Sequence, residues 1–209
     1  FYSNEVYNAE HSITSSAITL FVYGNHFHDW GNWDIGDGSN HHDGLHCFSG
    51  SSGSSLFIYV YNNKFTGTYG FYMNQPIFIE GGGSPDKCLA SGGVAYVFNN
   101  VFLPSDANGV AFGGPIGGAG SNSGFLINNI GLGVNPASGS FCLEAMSMSG
   151  VRIQNNACGG SGYLIADGGT GTTFTAVNNN AYQNCSGFNC FSVGATNTSD
   201  FSLYQSQTG

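Results

Sequence analysis

Positive charge is what this chain has least of. Lys64, Lys87 and Arg152 are its only fixed cations against 12 acidic residues, and the net charge is −9. A nucleic-acid-binding face needs clustered basic side chains against phosphate, so no nucleic-acid partner is expected. Anionic membrane surfaces are disfavoured on the same ground, and no apolar run approaches the ~20 residues of a membrane-spanning helix. No signal peptide is expected within these residues. Because the chain opens on Phe1, it is expected to be a processed product or a fragment of a longer chain. The six Cys, at 47, 88, 142, 158, 185 and 190, lack the paired CxxC knuckles of a structural zinc site.

What is present argues against disorder. Apolar residues make up 41% of the 209, with 17 Phe and 11 Tyr, whereas disordered chains lack the aromatic and β-branched residues that bury surface. The 34 Gly, with abundant Asn and Ser and few helix formers, predict an all-β chain with many tight turns. Cys185 and Cys190, in NCSGFNC, are spaced for a small disulfide loop, while Cys47 and Cys142 read as buried free thiols. Possible disulfides and scarce Lys point to a secreted or cell-surface protein.

One phrase recurs. FIYVYNNKF (57–65), VAYVFNNVF (94–102), GFLINNI (124–130), VRIQNNAC (151–158) and FTAVNNNAY (174–182) each carry an alternating apolar run into an Asn-Asn step. TLFVYGNHF (19–27) is a variant with Gly24 first in the step, and FYSNEVY (1–7) places Ser3-Asn4 there. The second residues of the step fall at 4, 25, 63, 100, 129, 156 and 180. Repeats of such length mean solenoids, propellers or arrays, and the shorter intervals are too tight for a four-stranded propeller blade. Each interval holds another strand-like phrase: GLHCFSG (44–50), PIFIEGG (76–82), GVAFGG (109–114), SFCLEA (140–145), GYLIADGG (162–169) and NCFSVG (189–194). Two or three short strands per coil make a solenoid. At its corners Asn tolerates a left-handed backbone, and its amide can bond the equivalent Asn one coil away.

On these phrases residues 1–203 resemble the right-handed parallel β-helix superfamily typified by pectate and pectin lyases. The resemblance implies a solenoid of about six to seven coils with an Asn ladder, with residues 204–209 beginning a tail or next segment. It implies no single activity, since that superfamily includes lyases, hydrolases and non-catalytic surface proteins. Uncapped coil ends would permit end-to-end self-association.

Chemistry is concentrated early. All six His (11, 26, 28, 41, 42, 46) and both Trp (30, 33) precede residue 47. The long connections at 26–44 and 66–76 would wall a cleft there. Alternation turns Leu45/Cys47, Ile77/Ile79 and Val110/Phe112 inward, and His46/Phe48, Phe78/Glu80 and Ala111/Gly113 outward, with Glu144 and Asp167 continuing that column. His46 and Glu80 would then be neighbours across adjacent coils, with Asp43 as a second carboxylate. These three are the expected catalytic residues. Trp30, Trp33, His42, Phe48, Phe78 and Glu144 are the expected polysaccharide-binding residues, each Trp having a structural role as its alternative.

A uronate lyase needs positive charge or Ca²⁺, and Lys64 and Arg152 are expected away from that column, with Lys87 in a loop. Hydrolysis of a neutral glycan needs only acidic groups. No cofactor is expected. Asp34, Asp37 and Asn40 could ligate Ca²⁺ but lack the EF-hand spacing, and HFHD (26–29) offers a His/Asp metal set by proximity alone. A non-catalytic surface, adhesive or filament-forming protein is the alternative function. An ice-binding face would need a regular Thr array, of which only TGTTFT (170–175) gives a trace.

Overall fold

The computed structural model describes residues 1–9, 13, 17–30, 42–47, 55–69, 73–80, 88–104, 113–116, 122–132, 141–145, 148–159, 163–166, 172–183, 191–193 and 196–198. Among them there is no helix. The chain is all-β, and its strands fall into four sheets. A six-stranded sheet contains β2 (Thr19–Tyr23), β5 (Ser55–Tyr61), β8 (Leu89–Phe98), β11 (Ser123–Ile127), β14 (Val151–Gln154) and β17 (Phe174–Asn178). A seven-stranded sheet contains β1 (Glu5–Tyr7), β3 (His26–His28), β6 (Lys64–Gly67), β9 (Val101–Pro104), β12 (Ile130–Leu132), β15 (Ala157–Gly159) and β18 (Ala181–Gln183). A third sheet is formed by β4 (His42–Cys47), β7 (Met73–Glu80) and β10 (Gly113–Ile116). The fourth has β13 (Phe141–Glu144), β16 (Tyr163–Ala166), β19 (Phe191–Val193) and β20 (Thr196–Thr198).

From β2 onward each pass visits the six-stranded sheet, then the seven-stranded sheet, then the third or fourth. Neighbouring passes pair in parallel; the antiparallel pairing is β19 with β20. The rhythm thus breaks after Val193, where the sequence phrases also end.

The Asn-Asn step is the corner between β2 and β3 and its equivalents, and its two residues divide the work. The first takes the left-handed backbone: Ser3, Gly24, Asn62, Asn99, Asn128, Asn155 and Asn179 have φ between 56° and 64°. Only Gly adopts that conformation freely, with Asn the least penalised of the rest. The second forms the ladder. Its Oδ1 accepts the side-chain N–H of the Asn one pass earlier, from Asn4 to Asn25 (3.1 Å), Asn63 (2.9 Å), Asn100 (3.0 Å), Asn129 (3.1 Å), Asn156 (3.0 Å) and Asn180 (3.0 Å). The same oxygens accept the earlier residue's backbone N–H. The spare amide hydrogen goes to a main-chain carbonyl, as from Asn100 Nδ2 to Val60 O at 2.9 Å.

Alternation fills the interior. Val22, Val60, Val97, Leu126, Ile153 and Val177 form one buried column. Phe27, Phe65 and Phe102 form another, with ring centroids 4.9 Å apart at each step. Outside the six-stranded sheet the same spacing stacks Phe21, Tyr59, Tyr96 and Phe125, and Arg152 lies over the last ring at 5.6 Å. A second outer column joins Tyr2, Tyr23, Tyr61 and Phe98.

Cys47 and Cys142 are not free thiols. Cys47 bonds Cys88 and Cys142 bonds Cys158. The first links the third sheet to the segment leading into β8, and the second links β13 to β15. Each thiol faces the interior where two sheets approach, which one strand's alternation cannot reveal. Cys185 and Cys190 lie outside the described residues. Disulfides fit an oxidising setting. Replacing Cys47 and Cys88 together by Ser should cost about 4 kcal/mol, because the bond closes a separation of 41 residues. The corresponding Cys142/Cys158 variant, closing 16, should cost about 3 kcal/mol. Urea midpoints of the two double variants would reverse in order if loop closure were not the governing term.

Candidate functional site

Asp43, Leu45 and Cys47 on β4 are fully buried, and Leu45 and Cys47 stand opposite Ile77 and Ile79 of β7. Asp43 accepts the Gln75 backbone N–H through Oδ1 at 3.2 Å. Its Oδ2 lies 3.1 Å from His46 Nδ1. Such a carboxylate, with 0% exposure, lies where it can orient the imidazole and does not itself meet a substrate. His46 alternates to the other side from Leu45 and Cys47 yet is only 8% exposed. Gly44 between the pair is required by close approach: a Cβ there would run into the Pro76 carbonyl oxygen.

The register alters the expected column. His46 stands opposite Phe78, with ring centroids 4.8 Å apart, and Glu80 lies two residues farther along β7. His46 and Glu80 are therefore diagonal, not direct, neighbours. The strand expected at 109–114 is Gly113–Ile116, so Gly113 and Pro115 meet Ile77 and Ile79, and Ile116 meets Glu80. Val110, Ala111 and Phe112 lie outside the described residues. Glu144 ends β13 opposite Ala166 in the separate four-stranded sheet. It therefore does not extend a hydrogen-bonded column from Glu80, and Asp167 lies outside the described residues. His42 begins β4 opposite Met73. The side chains of His42, Glu80 and Glu144 are outside the description. So are Trp33, Phe48, the Asp34/Asp37/Asn40 group considered for Ca²⁺, and most of the long connections. Trp30 is fully buried, edge-on to Tyr69 at 5.2 Å. It is a core residue without a free face for a sugar.

A second cluster, only half seen in the sequence, sits on the outer face of the seven-stranded sheet. Glu5 pairs with His26 and Tyr7 with His28; His26 pairs with Lys64 and His28 with Thr66. Val6, Phe27 and Phe65 between them point inward, so the polar set shares one face. His28 Nδ1 is 2.7 Å from Asp29 Oδ2, and its Nε2 is 3.1 Å from Glu5 Oε1. His26 Nε2 is 2.7 Å from Thr66 Oγ1. Asp29 is itself fixed: it has φ 53° and accepts the Thr68 N–H at 2.9 Å. HFHD showed two of these ligand types. The missing signal was the offset, because Glu5, His26 and Lys64 each directly follow the ladder Asn.

Desolvation, then the charge of His28, holds the His26 pKa below its ordinary 6.5. The hydrogen bond from His28, then that from Thr68 N–H, lowers Asp29 from 3.8. Both folded values lie below the unfolded ones, so the unfolded chain binds more protons and stability is lost as pH falls. The His26 contribution should fade below about pH 6.5 and that of Asp29 below about pH 3.8. Urea midpoints measured from pH 8 to 3 should decline in that order. Asp29→Asn should flatten the lower limb, and His26→Gln the upper.

No protein-family model, curated protein or solved structure matches the chain.

Proposed function

We propose that the stacked sheets close into a right-handed parallel β-helix of the pectate- and pectin-lyase type, and that the protein is secreted and acts on a polysaccharide. The observation that carries this reading is the buried Asp43 held against His46 on a strand whose partner also carries Phe78 and Glu80. In this reading His46 and Glu80 exchange protons with the glycosidic oxygen and water. Asp43 positions His46, and Phe78 supports its ring. Hydrolysis of a neutral glycan is favoured over elimination on a uronate. Lys64 is on the seven-stranded sheet and Arg152 on the six-stranded one, so neither is offered by the third sheet to neutralise a carboxylate.

His46→Gln and Glu80→Gln should each lower turnover by about 10²–10⁴-fold on a neutral glycan. Asp43→Asn should shift the pH–rate profile. Unchanged turnover in the first two variants would sink the assignment.

One observation favours a non-catalytic surface or filament-forming protein instead. Tyr2, Tyr7, Ile18, Phe21, Leu56 and Phe57 are all exposed on the early strands and their flanks, an apolar concentration suited to self-association. A wild type inert to every glycan, yet sedimenting as concentration-dependent oligomers, would select that reading.

A further inference from the structure

The outer face of β1, β3 and β6 differs from the rest of its sheet. The column that begins Glu5, His26, Lys64 continues as Val101, Ile130, Ala157 and Ala181. The column that begins Tyr7, His28, Thr66 continues with Leu103. Among the described residues of this face, the ionisable side chains are thus gathered at one end. There, Glu5, His26 and His28 bring a carboxylate oxygen and two ring nitrogens within 4.8 Å of one another.

We propose that Glu5, His26 and His28 bind a divalent transition-metal ion of the Zn²⁺ class, with Asp29 as the outer carboxylate that orients His28.

Three features support the assignment. First, donors around tetrahedral Zn²⁺ at about 2.0–2.1 Å lie roughly 3.3 Å apart. His28 Nε2 and Glu5 Oε1 are already at 3.1 Å, and the remaining contraction is within side-chain reach. Second, His28 makes the paired contacts of a ligating imidazole. Nδ1 lies 2.7 Å from Asp29 Oδ2, and with the proton on Nδ1 the Nε2 lone pair is left for metal. Asp29 is in turn fixed by Thr68 N–H, and a Cβ on Gly67 would collide with its carboxylate. Third, the His26 and His28 rings lie side by side with centroids 4.5 Å apart, so one ion can reach a nitrogen of each. Imidazole donors with one carboxylate select Zn²⁺, Ni²⁺ or Cu²⁺ over Ca²⁺ or Mg²⁺, which prefer all-oxygen shells. Lys64 beside His26 opposes a cation, but Glu5 and Asp29 outnumber it. Three protein ligands leave a fourth position for water or a small ligand.

Isothermal titration of the chelator-stripped protein with Zn²⁺ at neutral pH tests this. One ion per chain should bind, with no heat from Ca²⁺ or Mg²⁺ under the same conditions. His26→Ala, His28→Ala and Glu5→Gln should each weaken Zn²⁺ by at least about tenfold. Asp29→Asn keeps the oxygen that accepts Thr68 N–H; it should weaken Zn²⁺ by about 10–100-fold at neutral pH, with the metal-free protein still folded and its urea midpoint somewhat lowered by loss of the Asp29 charge. Replacing His11, His41 and His42 together should leave the affinity as it was. Absence of Zn²⁺ binding, affinity indifferent to His26 and His28, or affinity lost in the triple variant would each overturn the proposal.

Discussion

Asn100→Ala should lower the stability of the folded chain by about 3–5 kcal/mol, read as a drop in the urea midpoint at constant slope. Asn100 is fully buried and sits mid-ladder. Its Oδ1 accepts Asn63 N–H at 3.1 Å and Asn63 Nδ2–H at 3.0 Å. Its Nδ2 donates to Val60 O at 2.9 Å and to Asn129 Oδ1 at 3.1 Å. Truncation removes four hydrogen bonds at a site without room for replacement, and stranded buried groups cost about 1–3 kcal/mol each. Some partners keep other bonds: Asn63 Nδ2 retains Val22 O, and Asn129 Oδ1 retains the Asn100 backbone N–H. That is why the total stays below four full penalties. Asn180→Ala should cost only about 1 kcal/mol, since its half-exposed amide can be replaced by water. The residue before each rung behaves oppositely. Asn99→Gly should be close to neutral, because φ is 57° there and Gly24 already holds the equivalent place. Asn99→Val should cost about 1–2 kcal/mol. Equal effects at Asn99 and Asn100 would contradict this division of roles.

The contrast marks how far local sequence carries. An Asn repeated inside apolar phrases is visible because it is polar where its neighbours are not, and its bonding partner is another copy of itself. Strand register is different. GVAFGGPI (109–116) can alternate inward from Val110 or from Gly113, since glycine gives no facial preference. Only the pairing with Ile77 and Ile79 selects the second. The difference of three residues moved an entire expected column. The Glu5–His26–His28 group escaped for a related reason. Its members are 21 residues apart or more across the β1–β3 pair, and they become neighbours only once the ladder is used as a register mark. Trp30 and Asp43 show the remaining gap: a polar or aromatic residue near a turn reads as exposed until the packing of neighbouring passes closes over it.

Phe65→Ala is the second large effect, about 3–5 kcal/mol, and it separates stacking from burial. Phe65 lies between Phe27 and Phe102 at 4.9 Å on each side, fully buried. Tyr59 stacks equally well in the outer column, at 4.9 Å from Phe21 and 4.7 Å from Tyr96. Ring–ring attraction beyond area burial contributes about 0.5–1.5 kcal/mol, and both positions lose it on truncation. Only Phe65 also leaves a cavity, because interior neighbours relax incompletely, whereas solvent fills the place of Tyr59. Tyr59→Ala should therefore cost no more than about 1.5 kcal/mol. Phe65→Leu should recover most of the loss, since it restores volume without a ring. If Tyr59→Ala proved as damaging as Phe65→Ala, the outer column would be a principal support of the fold, not its covering. Its rings present edges to solvent because each face is taken by the next pass. On that geometry a sugar would find stacking surface only at the ends of the column, and one of those ends is already occupied by Arg152.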